Sequence, residues 1–81
     1  MRIHVKFFAV LREAAGISER TLELTDGATV ATVRERLATM HPGLSQHLPR
    51  VAYAVNQIYA PPETRLRDDD EVALIPPVSG G

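Results

Sequence analysis

The sequence predicts an α+β fold in which one main helix packs across a mixed four- to five-stranded sheet. Three observations carry that expectation. Apolar residues alternate at Ile3, Val5 and Phe7, and again at Leu22 and Leu24, with the period of two that marks a half-buried strand. Val30, Val33, Leu37 and Met40 fall at helical spacing and form the one clear apolar stripe. Two β-rich runs, Val51 to Val55 and Glu71 to Ile75, complete the pattern.

The elements follow in order. Residues 2–9 read as a strand with Ile3, Val5 and Phe7 on one face and His4, Lys6 and Phe8 on the other. Val10 to Ala15 favours a short helix, and Gly16 suits the position just past its end, where a left-handed residue closes the last turn. Arg20 to Leu24 alternates again, and Asp26-Gly27 marks a turn. Thr29 is placed to cap the main helix, with Arg34, Glu35 and Arg36 off its apolar stripe. His41-Pro42-Gly43 stops the helix. Leu44 to Leu48 is expected to form one short turn before Pro49. Asn56-Gln57 is a two-residue hairpin turn candidate, Ile58-Tyr59 begins the returning strand, and Pro61-Pro62 ends it. Leu66 leads into the acidic run Asp68 to Asp70, and the last strand runs from Glu71 to Ile75.

Strand, short helix, strand, long helix and further strands is the order of the β-grasp fold, the simplest two-layer arrangement of these parts. Eighty-one residues suit one domain, expected over residues 1–75, with a flexible C-terminal tail over residues 76–81. The composition, 44% hydrophobic with a net charge of −1, suits a globular protein and points to neither nucleic acid nor membrane as a partner. The apolar run from Phe7 to Leu11 is shorter than a secretory core and is ended by Arg12 and Glu13. A soluble cytoplasmic protein is the expectation.

The side chains offer little catalytic chemistry. There is no cysteine, so any sulfur the protein handles must ride on another group. His4, His41 and His47 fall in no metal motif, and no metal site is expected. The serines lack a nucleophile elbow, and no phosphate-binding glycine loop occurs. The run Asp68 to Glu71 lacks the frame of a calcium loop; it reads as a solvated turn or as a docking patch for a basic partner. These absences argue against an enzyme that works alone.

The C-terminus carries the sharper signal. Six residues follow Ile75 and, extended, span about 20 Å. Pro76-Pro77 stiffens the base of this tail. Gly80-Gly81, without side chains, can enter a narrow channel and carry a terminal carboxylate deep into a partner. A partner that adenylates the carboxylate would make it reactive toward sulfur or amine nucleophiles.

Val5 to Gly16 (VKFFAVLREAAG), Val55 to Gln57 (VNQ) and Asp68 to Gly81 (DDDEVALIPPVSGG) resemble the molybdopterin synthase small subunits, which are ubiquitin-like β-grasp proteins. The ending Ile75-Pro76-Pro77-Val78-Ser79-Gly80-Gly81 is the most specific part and favours that branch over the related sulfur carriers of thiamine and tRNA modification. The resemblance implies a sulfur carrier of molybdenum cofactor biosynthesis. Gly81 would be adenylated by a ubiquitin-activating-like adenylyltransferase using ATP, and this chain would bind no cofactor of its own. The resulting thiocarboxylate would give sulfur to a pterin precursor in the large catalytic subunit, which supplies the acid–base residues of a heterotetramer. Ile75, Pro76, Pro77, Val78, Ser79 and Gly80 would contact partners along the tail. Phe8, Tyr59 and Ile75 are read as either an apolar docking patch or a small second core. The family's glycine before the last strand is Asp69 here, which leaves the conformation of that turn open. Two further readings are a ubiquitin-like protein modifier and a plain interaction module.

Overall fold

The computed structural model describes residues 1–77. Its architecture is the expected β-grasp: a five-stranded mixed sheet with one long helix across one face. The strands are β1 (Arg2–Phe7), β2 (Glu19–Glu23), β3 (Ala52–Val55), β4 (Ile58–Tyr59) and β5 (Glu71–Ile75), in the spatial order β2-β1-β5-β3-β4. β1 and β5 run parallel at the centre, and the other neighbours are antiparallel. Helix α1 (Val10–Ala15) links β1 to β2, and helix α2 (Val30–Met40) crosses the sheet.

The core lies between α2 and one face of the sheet. Ile3, Val5 and Phe7 of β1, Leu22 of β2, Tyr53 of β3 and Val72 and Leu74 of β5 project into it. Val30, Val33 and Leu37 of α2 are fully buried against them, and Met40 packs at the edge of the cluster. Thr29 caps α2 with extended backbone, and the cap is reciprocal. Thr29 Oγ1 accepts from the Thr32 N–H, while Thr32 Oγ1 accepts from the Thr29 N–H at 3.0 Å. No helix among the described residues is long and apolar enough to cross a membrane.

Two residue-level expectations change. Leu44 to Leu48 is not one turn before Pro49: two short 3₁₀ turns occupy Pro42–Leu44 and Leu48–Arg50, and Pro49 lies inside the second. Leu44 and Leu48 drop into the core from these turns. A proline near the start of such a turn costs no hydrogen bond, because the first amides of a helical turn have no partner to give up. Gly43 lets the turn pass close to α1, since a Cβ would stand a tight 3.1 Å from the Ala14 carbonyl oxygen. The first strand also stops short of residue 9: β1 ends at Phe7, and Ala9 turns the chain at φ 50°. The His41 ring meets Phe7 edge-on, with centroids 6.0 Å apart.

The acidic run is a hydrogen-bonded turn. Asp68 Oδ1 accepts from the Arg2 N–H at 2.7 Å, and Asp70 Oδ2 from the Arg67 N–H at 2.7 Å. The hairpin turn Asn56-Gln57, with φ of 50° and 72°, reaches into the same unit. Asn56 donates from Nδ2 to Asp70 Oδ1 at 2.9 Å and accepts from the Glu71 N–H at 3.0 Å. Asp69 sits at φ 68°, so the position does require a left-handed backbone.

Replacing Leu37 by alanine should cost about 2–5 kcal/mol in chemical denaturation, because the side chain is fully buried at the centre of the helix stripe. Asp69→Gly should stabilise the domain by up to about 1 kcal/mol by relieving the left-handed backbone, whereas Asp69→Val should destabilise it. Thermal melts of the two variants beside the parent check the sign.

Candidate functional site

Residues directly opposite one another in a sheet share a face, so the register assigns the surface that α2 leaves open. Lys6 pairs with Ala73, Ala73 with Ala54, and Ala54 with Tyr59, which makes one row across four strands. In the next row Ile75 pairs with Ala52. Phe8 stands one residue past the Phe7–Leu74 pair and therefore beside Ile75. The structure thus brings Phe8, Ile75 and Tyr59 to the same open face. Phe8 and Ile75 are neighbours, and Tyr59 lies about 12 Å from Ile75, two strands across and two residues along, over a floor of small alanines.

Their burial distinguishes them from the core. Phe8 is 48% and Tyr59 72% exposed, and Ile75 is half-buried. None of the three belongs to the core cluster. Phe8 is held by the backbone that follows it. Ala9 adopts φ 50° and ψ −127°, a region that costs a residue with a side chain on the order of 1–3 kcal/mol. That turn redirects the chain from β1 into α1 immediately after Phe8. Val10, 42% exposed at the start of α1, was not singled out from the sequence; its place in a helical run hid it. Ile58, 72% exposed, shares its row with Val55 and Val72 and so belongs to the helix-side face, at the β4 edge.

Charge borders the apolar patch. Lys6 Nζ lies 2.9 Å from Glu71 Oε1. The Glu71 carboxylate, first as hydrogen-bond acceptor and then as a charge, holds the Lys6 ammonium above its ordinary pKa. His4 Nε2 lies 3.2 Å from Asp69 Oδ1 on the same face. On the helix side, Tyr53 is buried, which pushes its phenol upward, and the nearby Arg34 charge opposes the shift. Among the described residues no three histidine, aspartate or glutamate side chains gather as a metal site.

The tail leaves the sheet from the patch itself. Ile75 ends β5, Pro76 is half-buried and Pro77 exposed. Val78, Ser79, Gly80 and Gly81 lie outside the described residues.

Comparison with known proteins agrees with this arrangement. The ThiS family model matches residues 5–81. The molybdopterin synthase sulfur carrier subunit of Chlamydomonas reinhardtii is 43% identical over the whole of both chains. The crystal structure of SAMP1, a small archaeal modifier protein, from Haloferax volcanii superposes with a TM-score of 0.90 at 30% identity, over the whole of both chains. A chain in the complex of subunits 1 and 2 of the molybdopterin-converting factor from Helicobacter pylori matches with a TM-score of 0.74 at 27% identity, again over both full lengths. By these matches the chain belongs to the ThiS family, among the molybdopterin synthase sulfur carrier subunits.

Proposed function

We propose that this chain carries sulfur as a thiocarboxylate on Gly81 and delivers it to a pterin precursor in the active site of a large synthase subunit. The observation that carries this reading is the position of Ile75. It is both a member of the exposed apolar patch and the last sheet residue before the tail. A partner that covers Phe8, Ile75 and Tyr59 therefore receives the tail at a fixed origin. Burying the patch offsets the entropy lost when the tail is ordered in a channel. Membership among the sulfur carrier subunits, and the likeness to a converting-factor chain solved together with its second subunit, support the choice of partner.

The chemistry is carried by the terminus. A carboxylate is a poor acyl electrophile, so a ubiquitin-activating-like adenylyltransferase first joins Gly81 to AMP from ATP with loss of pyrophosphate. A sulfur donor then displaces AMP and leaves the thiocarboxylate. This chain holds no cofactor of its own; ATP belongs to the activating partner. Pro76 and Pro77 stiffen the base of the tail, and Val78 to Gly81 occupy the partner's channel. The acid–base groups lie on the large subunit, in a cytoplasmic assembly of two small and two large chains. The likeness to a small archaeal modifier protein favours a second reading, in which activated Gly81 is joined to lysines of other proteins.

Deleting Gly80 and Gly81 should leave the melting temperature nearly unchanged and abolish sulfur transfer. Intact mass of the protein from native cells separates the two readings: a carrier shows partial oxygen-to-sulfur exchange at the C-terminus, a modifier shows conjugates of other proteins. Phe8→Ser should leave the free domain folded by circular dichroism and weaken titration with the large subunit roughly tenfold, equivalent to about 1–2 kcal/mol for a half-exposed aromatic anchor. Unchanged affinity would remove Phe8 from the docking surface.

A further inference from the structure

Lys6 is the sole lysine of the chain; every other Lys or Arg position is an arginine. This matters to a protein whose terminus is activated as an acyl group. A neutral lysine amine attacks such a group. Its lone pair forms a C–N bond to the acyl carbon, the bond to the AMP oxygen or thiol sulfur breaks, and one proton passes to solvent. Arginine stays protonated and is a poor nucleophile.

Lys6 lies where that attack is within reach. It stands opposite Ala73 on β5, one strand across and two residues back from Ile75, roughly 8 Å from the origin of the tail. Six residues follow Ile75, and a chain of that length can span about 20 Å, more than the distance to Lys6. The side chain, however, is turned the other way. Its ammonium is bonded at 2.9 Å to Glu71, which begins β5, four residues before the strand ends at Ile75. Glu19 of β2 stands directly opposite Lys6 on the other flank. Lys6 is thus bracketed by carboxylates on both neighbouring strands, with His4 next to it along β1 on the same face. The other amine of the chain, on Met1, donates to the Leu24 carbonyl at 2.6 Å.

We infer that Glu71 is a positioning residue that holds the single lysine back from the tail, so that the activated terminus is not consumed by an amide bond to its own chain. The inference rests on the reading of Gly81 as an activated acyl group. Glu71 acts through two effects: it draws Nζ toward the beginning of β5, and as acceptor and charge it keeps the amine protonated. The same arrangement serves the carrier and the modifier readings alike, since self-acylation would end either activity.

The test needs no partner. The full chain is prepared with a thioester at Gly81, and amide formation at Lys6 is followed by peptide mass mapping across pH for the parent, Glu71→Gln, and Glu71→Gln combined with Lys6→Arg. Circular dichroism confirms that each is folded. Glu71→Gln should raise the rate at Lys6 about two- to fivefold, the range an exposed ion pair supports, and move the pH profile to lower pH. The added product should vanish in the double variant. Equal rates and profiles in parent and Glu71→Gln, or added product at Met1 in place of Lys6, would overturn the inference. Because the thioester is supplied chemically, a chain that shows this protection yet carries no sulfur in native cells would refute the sulfur-carrier reading and leave the role of Glu71 standing.

Discussion

The parallel pairing of β1 with β5 is the constraint on which the rest of the molecule depends. It joins segments more than sixty residues apart in the sequence, and it places both in the middle of the sheet. Every other strand attaches to one of these two or, for β4, to β3 beside them. The pairing is built from a shared core row, with Val5 beside Val72 and Phe7 beside Leu74, all buried. Because side chains alternate, fixing that row also fixes the opposite one. Phe8 must then stand beside Ile75, and Lys6 beside Ala73, on the open face. A one-residue slip would send the core residues to solvent and break up the patch at once. Core and candidate interface are therefore specified by a single register.

The ends of this pairing are secured differently. At the start of β5 the backbone is closed by polar contacts. Arg2 binds Asp68, Asn56 binds Asp70 and Glu71, and the His4 N–H donates to the Asp70 carbonyl. This end is exposed, and a net of hydrogen bonds to the backbone holds a turn that has little apolar surface to bury. At the other end the described residues form no such net. β1 turns sharply at Ala9 and β5 runs out into Pro76 and Pro77. The polar end anchors the register, while the apolar end carries the surface and the tail. Asp69 with its left-handed backbone and Ala9 with its positive φ show that both turns carry strain, which the central pairing sustains.

Much of this was legible in the sequence where one period governed one segment. The alternation of Ile3, Val5 and Phe7 gave the inner face of β1, and Val30, Val33 and Leu37 gave the inner face of α2. Gly16 and Asn56-Gln57 announced their turns because left-handed backbone favours few residues. The failures lie where no period runs long enough. Leu44 and Leu48 sit in separate three-residue turns interrupted by prolines, so neither period of two nor of 3.6 exposes their burial. Met40, the last member of the helix stripe, falls at the end of the helix and is only partly covered. The open face was legible only in part: Phe8 and Ile75 stood out as apolar residues out of phase with the core, and Tyr59 by its place after the hairpin turn. The pairing of Lys6 with Glu71 was not, because contacts across sixty-five residues leave no local trace.

Strand β5 shows how one short segment serves the whole molecule. Val72 and Leu74 point into the core, and Glu71, Ala73 and Ile75 point out. The outward set is graded along the strand. A carboxylate at the beginning holds a cation, an alanine in the middle keeps the floor low, and a branched apolar residue at the end joins Phe8. A larger side chain at Ala73 would raise the floor between Phe8 and Tyr59 and separate the two exposed rings from any single flat partner surface. A charge at Ile75 would have to lose its water when that surface is covered, at a cost that no residue in its row, Phe8 or Ala52, could offset. The order charged, small, apolar thus runs toward the point where the tail departs, so the surface most readily desolvated lies next to the base of the tail.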